Sequence, residues 1–289
     1  MPGTAHYQSQ RQCKQTSFAF YQAVRDLLPV WLLEDMRLME VLHWEDGGRV
    51  SCYSPSEALL YALVHDHQPY ARYLLHHFPQ DALAVPSPSF SCCQAAAPHL
   101  PLAVRYDRLQ ILREILHTLQ ALPAASRAAC INRRGCQRLE GGKTPVHLAC
   151  ELQRAECLTL LLGHGSCPYA TDCSGNTPLD CLLQLIRTGA PQDPRPLRLC
   201  MDSLLLYMPR GLPPSTRHQL QQESIAWQEL LGQELFRWLT GTSPPSLGTL
   251  AMQSLLRALP ADRFPEVLEE IHLPQCLRPP ALQQQLVRR

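Results

Sequence analysis

Apolar residues recur at three- and four-residue steps along most of this chain, in short stretches separated by polar or proline-bearing turns. That spacing puts them on one face of an α-helix rather than on alternate faces of a strand. From Ser17, the residues Phe18, Tyr21, Val24, Leu28, Trp31 and Leu32 fall on one stripe. Pro29 is placed to kink or divide that helix. Two-helix patterns follow, with Tyr61-Ala62-Leu63 ahead of Tyr73-Leu74-Leu75, and Leu102-Ala103-Val104 ahead of Ile111, Leu112, Ile115 and Leu116. Beyond a polar, proline-rich loop at 189–198 the pattern predicts a helix over 199–207. It predicts a second, amphipathic helix over about 219–239 that carries Trp227 and Trp238. Gly241-Thr242-Ser243-Pro244-Pro245 then breaks the chain, and the remainder reads as a separate small unit.

A longer period is superimposed on the helical one. Gly142-Lys143-Thr144-Pro145-Val146-His147-Leu148-Ala149 and Gly175-Asn176-Thr177-Pro178-Leu179-Asp180 place their threonines 33 residues apart, with Leu160-Leu161-Leu162-Gly163-His164-Gly165 between them. Each residue type has a physical reason. A threonine hydroxyl caps free amides at a helix start. Proline at the next position lacks only an amide that would have no partner there. Ala149 lets helices approach closely, and a glycine accepts the left-handed conformation after the second helix. This pattern resembles the ankyrin repeat, whose period is 33 residues. Its signature residues here are Thr144, Pro145, His147, Ala149, Thr177 and Pro178. Taking the helix alanine as marker, Ala62, Ala103 and Ala149 lie 41 and 46 residues apart. The excess over the period is assigned to enlarged loops at 78–90 and 122–138, which are either sites of partner specificity or tolerated insertions.

The predicted fold class is therefore all-α, an ankyrin-repeat solenoid with N-terminal capping helices and a C-terminal helical module. The expected boundaries are a disordered start at 1–15, a helical cap at 16–53 and about four repeats at 54–210, two of them with enlarged loops. A linking amphipathic helix follows at 211–243 and the tail unit at 244–289. Capping is preferred over membrane binding for the first helices, because a terminal repeat has an apolar face to cover.

Composition removes several function classes. A net charge of +1 in 289 residues gives no footprint for nucleic acid or an anionic membrane. No apolar run approaches a membrane span, and residues 1–14 carry no apolar stretch of signal-peptide type. Thirteen cysteines, an odd number without a regular framework, read as reduced thiols of an intracellular, cytoplasmic protein. Cys150, Cys157 and Cys181 sit within helical patterns and read as small buried hydrophobes.

Candidate chemistry is sparse. Gly141-Gly142-Lys143-Thr144 looks like the end of a phosphate-binding loop, but Gln137 stands where that loop needs glycine. His65, His67, His76 and His77 are close in sequence, yet His65 and His67 are two apart and cannot share a helix face. Cys130, Cys136 and Cys150 are irregularly spaced for zinc. The adjacent pair Cys92 and Cys93 is retained as a candidate partner-contacting or redox site. No catalytic, cofactor-binding or metal-ligating residues are assigned, and a non-catalytic adaptor needing no cofactor is expected.

The tail carries the strongest functional signal. Ser246-Leu247-Gly248-Thr249-Leu250-Ala251-Met252-Gln253-Ser254-Leu255 starts with a helix cap and lines apolar residues on one face. Ile271-His272-Leu273-Pro274-Gln275-Cys276-Leu277 follows. Together these resemble a SOCS box. The resemblance implies elongin docking through Leu247, Leu250, Ala251 and Leu255, and cullin contact, of cullin-5 type, through Ile271, His272, Leu273 and Pro274. Two positions depart from the motif: Ala251 stands for a cysteine and His272 for a proline. Ala251 leaves a docking pocket partly unfilled, a cost of the kind a core cavity carries. The alternative reading is a last helix folding back on the repeats. Residues 17–36, 53–67 and 264–277 also resemble one particular family of ankyrin-repeat proteins, over most of the chain from residue 12 onward. That resemblance implies a substrate receptor of a cullin–RING ubiquitin ligase with IMP dehydrogenase, an enzyme of guanine-nucleotide synthesis, as client for turnover.

Overall fold

A computed structural model of the protein describes residues 19–39, 41–43, 50–87, 90, 97–189, 193–259, 267, 270 and 271. The chain divides into two compact units, Met1–Pro123 and Ala124–Arg289. The first holds α1 (19–25), α2 (Val30–Met39), β1 (Val41–His43), β2 (Val50–Cys52), α3 (Pro55–His65), α4 (Gln68–His77), α5 (His99–Arg105) and α6 (Leu109–Gln120). The second holds α7 (Ala124–Ile131), α8 (Gln137–Glu140), α9 (Pro145–Glu151), α10 (Ala155–Gly163), α11 (Pro178–Arg187) and α12 (Arg195–Leu206). It continues with α13 (Pro214–Gln222), α14 (Ser224–Leu231), α15 (Gln233–Thr240) and α16 (Leu247–Ala258).

The helices form two rows within each unit. In the first unit α3 packs on α5, while α4 packs on α2 and α6. In the second α9 packs on α11 and α10 on α12. Consecutive helices also pack on each other as pairs: α3 with α4, α5 with α6, α9 with α10, α11 with α12. This is the all-α ankyrin-repeat arrangement, in which each pair buries its apolar face only by stacking on its neighbours.

One turn geometry recurs between the helices of a pair. Leu27, Asp66, Asp107 and Gln153 all take φ of 54 to 59°, the left-handed region. After each, the next amide donates to an alanine carbonyl five residues back: Leu28 to Ala23 at 3.1 Å, His67 to Ala62 at 2.9 Å, Arg108 to Ala103 at 2.8 Å and Arg154 to Ala149 at 2.8 Å. This bond closes the end of the first helix and aims the chain into the second. The four alanines are buried. The residue just past the turn also ties one pair to the previous one. His67 Nδ1 accepts from the Tyr70 amide at 3.2 Å, so its Nε2–H donates to Leu28 O at 2.9 Å. Arg108 donates Nε to Leu63 O at 3.0 Å and Nη2 to Val64 O at 2.8 Å.

Several sequence expectations are corrected here. The N-terminal region is not wholly a helical cap: α1 and α2 join through the same left-handed turn as the other pairs, and β1 and β2 form an antiparallel ribbon inside 41–52. The proposed stripe is broken at that turn, because the helical phase resets at 26–29. Phe20, Ala23, Val24 and Leu33 are buried, whereas Trp31 is 67% exposed. The 122–138 segment is not an open loop, since α7 fills about half of it and α8 starts at its end. The helix expected over 219–239 is three, α13 to α15, broken at Glu223 and at Gly232, whose φ is 81°. The helix expected from 199 starts at Arg195.

Arg37 and Glu34 show how a charge is buried in the first unit. Arg37 Nε donates to Glu34 Oε2 at 2.9 Å and Nη1 to Tyr53 O at 2.9 Å, while Tyr70 OH reaches Glu34 Oε2 at 3.3 Å. A buried guanidinium is tolerable only when its donors are met in this way.

Candidate interaction surfaces

The repeat signature in the second unit is a connected polar network. Thr144 N–H donates to His147 Nδ1 at 3.2 Å, and the Thr144 hydroxyl lies 2.8 Å from the same nitrogen. Nδ1 is therefore an acceptor, and Nε2–H donates to Asn176 O at 3.0 Å. The ring links α9 to the strand-like finger ahead of α11. One repeat on, Asp180 takes the place of His147. Its Oδ2 accepts from the Thr177 amide and hydroxyl at 2.7 Å each, and its Oδ1 accepts from Thr216 Oγ1 of α13 at 2.9 Å. Histidine and aspartate thus make the same forward link with opposite polarity, one donating to a carbonyl, the other accepting from a hydroxyl. Pro145, Ala149 and Pro178 are buried beside them. The fingers also touch: Cys173 N–H donates to Gly141 O at 3.0 Å. Gly142, at φ 67°, faces Cys173 so closely that a Cβ there would lie 2.3 Å from its Sγ. The Gly-Gly-Lys-Thr run is thus occupied by the finger and by Lys143, which pairs with Glu151 at 2.9 Å.

The tail helix α16 begins at Ser246, whose Oγ accepts the Thr249 amide at 3.1 Å. Its inner face packs on α12: Met252 and Gln253 are buried, and Gln253 Nε2 donates to Leu205 O at 2.9 Å. The outer face is open. Leu247 is 85% and Leu250 40% exposed, Ala251 is exposed and Leu255 half-buried. Ile271 is half-buried, and its amide donates to Val267 O at 3.2 Å. His272, Leu273, Pro274, Cys92, Cys93 and the 1–15 segment lie outside the described residues.

Two grooves in the second unit had no signal in the sequence, because their walls come from elements distant in the chain. One, of about 240 Å³, lies between α11 and α13, with Asp180, Gln184, Arg187, Thr216, Gln219 and Trp227 on its walls. Trp227 is buried, and its indole N–H finds no acceptor among the described residues. The other, of about 280 Å³, lies where the α12–α13 and α15–α16 connections meet.

The ankyrin repeat family model matches residues 141–173, covering the Thr144-to-Ala149 signature and α10. The chain is 49% identical over 302 aligned residues to ankyrin repeat domain-containing protein 9 of Mus musculus, spanning 96% of this chain and 93% of the mouse protein. The chain belongs to that family. The likeness therefore extends over both units, far beyond the single repeat match. A second similarity, 41% over 54 residues, is to the target of rapamycin complex 2 subunit AVO2 of Saccharomyces cerevisiae. It covers 19% of this chain and 12% of the yeast protein.

The remaining candidate residues of this family member have structural partners. His65 stacks edge-on against Tyr21 with ring centroids 4.7 Å apart, and His67 is held by the bonds described above. Among the described residues no three His, Cys, Asp or Glu side chains gather as a metal site, and no helix is long and apolar enough to cross a membrane. Cys150, Cys157, Cys181 and Cys200 are buried. Burial pushes the Cys181 thiol up to about 11 and the Cys200 thiol up to about 12, so these sulfurs pack as apolar groups rather than reacting as thiolates.

Proposed function

We propose that this chain is a non-catalytic adaptor whose repeats hold a client protein while the tail that begins at α16 docks on a cullin–RING ubiquitin ligase. The observation that carries the reading is the two-faced character of α16. Met252 and Gln253 anchor one side, and Leu247, Leu250 and Ala251 are turned to solvent on the other. Exposed leucines at helical spacing are the kind of face that a partner groove recognises. By resemblance the adaptor is elongin B/C, contacted through Leu247, Leu250, Ala251 and Leu255. The cullin, of cullin-5 type, is contacted through Ile271, His272, Leu273 and Pro274. The client is IMP dehydrogenase, bound in the cytoplasm and turned over by ubiquitination. Client binding falls to the repeats, since stacked repeat helices and their finger tips are where such proteins bind partners.

Leu247→Ala combined with Leu255→Ala is expected to abolish recovery of elongins and cullin in affinity purification while client recovery stays unchanged. Persistent elongin recovery with the double variant removes the docking assignment. A second reading, a scaffold or sequestering protein without ligase role, draws on the other face of α16. Its Gln253–Leu205 bond is what a helix that merely closes the stack would make. Under that reading a chain ending at Ser243 brings down the same proteins as the full chain, and neither brings a cullin.

A further inference from the structure

The groove at the meeting of the α12–α13 and α15–α16 connections has an unusual charge arrangement. Its walls include Arg210, Arg217, Trp238, Pro245, Leu250 and Gln253, and among the described residues no aspartate or glutamate lines it. The Arg217 guanidinium lies between two glycines. A Cβ at Gly211 would stand 3.6 Å from its Nη2, and one at Gly241 would stand 3.8 Å from its Cζ and Nη1. Both glycines take left-handed φ, 70° and 79°, and both connections pass close to the guanidinium. Among the described residues the Arg217 side chain makes no hydrogen bond or ion pair, and its Nε is buried without an acceptor. Arg210 makes no ion pair either; its backbone amide donates to Tyr169 OH at 3.0 Å. Two other arginines held against the protein have partners, Arg37 with Glu34 and Arg108 with Asp66 and two carbonyls, whereas the Arg113 Nε is, like that of Arg217, buried without an acceptor among the described residues. Holding the Arg217 Nε donor buried without an acceptor is costly, and an anion arriving in the groove offers it one.

We infer that this groove receives a carboxylate from an acidic segment of the protein that docks on α16. The planar fork of arginine matches a carboxylate with two parallel hydrogen bonds. Leu250 belongs to both the groove and the exposed face of α16, and Leu247 lies one turn before it. The two features form one continuous surface: an apolar row for a partner's apolar face, and a basic notch beside it for an aspartate or glutamate. Such a notch fixes register and rejects partners that lack the acid. The inference rests on the proposed docking role of α16 for the partner's identity, while the chemistry of the notch stands on the arginines alone.

The test uses the full chain and a fluorescein-labelled peptide of alternating leucine and glutamate, read by fluorescence anisotropy. A peptide with glutamine for glutamate is the control, and inorganic phosphate is titrated separately. The glutamate peptide is expected to bind the wild-type chain at least about tenfold more tightly than the glutamine peptide, and to lose about tenfold on Arg217→Gln. Arg217→Lys, which keeps the charge without the fork, recovers part of that loss, and unchanged thermal unfolding of both variants shows that they fold. The inference is overturned if the two peptides bind alike, if neither binds, or if Arg217→Gln binds as well as wild type. Phosphate binding without glutamate-peptide binding overturns the carboxylate assignment as well. Glutamate-peptide binding by a chain that recruits no cullin keeps the notch and removes the ligase reading. Cullin recruitment that is indifferent to Arg217→Gln, with no peptide binding, removes the notch alone.

Discussion

His147 illustrates how a single ring holds a repeat boundary. With Nδ1 accepting from Thr144 and Nε2–H donating to Asn176, only the neutral ring of one tautomer fits. Burial lowers the His147 pKa, although the bond to Asn176 opposes the shift. His99 is a stronger case, as burial takes it down to about 4 against a bond to Ser56 that favours the charged form. A histidine with a depressed pKa leaves the folded state with fewer protons than the unfolded state. Its contribution to stability is complete above the unfolded value of about 6.5 and is lost as pH falls through the folded value. Thermal unfolding midpoints are therefore expected to fall between pH 6.5 and about 4. His99→Gln should flatten that slope, and an unchanged slope in the variant would remove His99 from the explanation.

At the scale of the element, the turn between paired helices is the repeating unit of construction. Leu27, Asp66, Asp107 and Gln153 hold a conformation that a side chain disfavours by about 1–2 kcal/mol. They hold it because the alanine carbonyl behind each turn and the packing of the second helix fix the chain direction. Gln153→Gly relieves that strain, while the added freedom of the unfolded chain cancels part of the gain. The expected net stabilisation is up to about 1 kcal/mol, measured as an upward shift of the urea midpoint with an unchanged m-value. A downward shift would mean that the Gln153 side chain contributes more than the turn costs. The alanines were legible in the sequence at 62, 103 and 149, because each sits in an apolar triplet. Ala23 was not, because Leu27 and Leu28 look like two more stripe residues and nothing in their chemistry marks a left-handed turn.

At the scale of the molecule, α16 belongs to the second unit through one buried face only. A chain ending at Ser243 uncovers the surface beneath Met252 and leaves the Leu205 carbonyl without its donor. Its second unit is expected to unfold with a loss of about 1–3 kcal/mol relative to the full chain, as followed by urea titration. An identical titration would mean that α16 is appended to the stack and adds nothing to its stability. Because the outer face of α16 is open, this stability effect is separable from the proposed docking: Leu247 is exposed, whereas Met252 is buried in the fold.

The 33-residue spacing of Thr144-Pro145 and Thr177-Pro178, and the alternation of apolar triplets with turns, determined the ankyrin fold from sequence alone. Those signals are local: a cap, a proline and a helical stripe act within a few residues of chain. The tertiary structure decided what depends on distant segments. It converted the presumed loop at 122–138 largely into α7 and the start of α8, and broke the 219–239 stripe into separate helices. It paired Asp180 with Thr216 across 36 residues and set Arg217 between Gly211 and Gly241. Periodicity carries no information about which surfaces meet, so the apolar stripe of α16 was legible in the sequence, whereas which side of that helix is buried on α12, and the groove beside it, became visible only once the chain had closed around them.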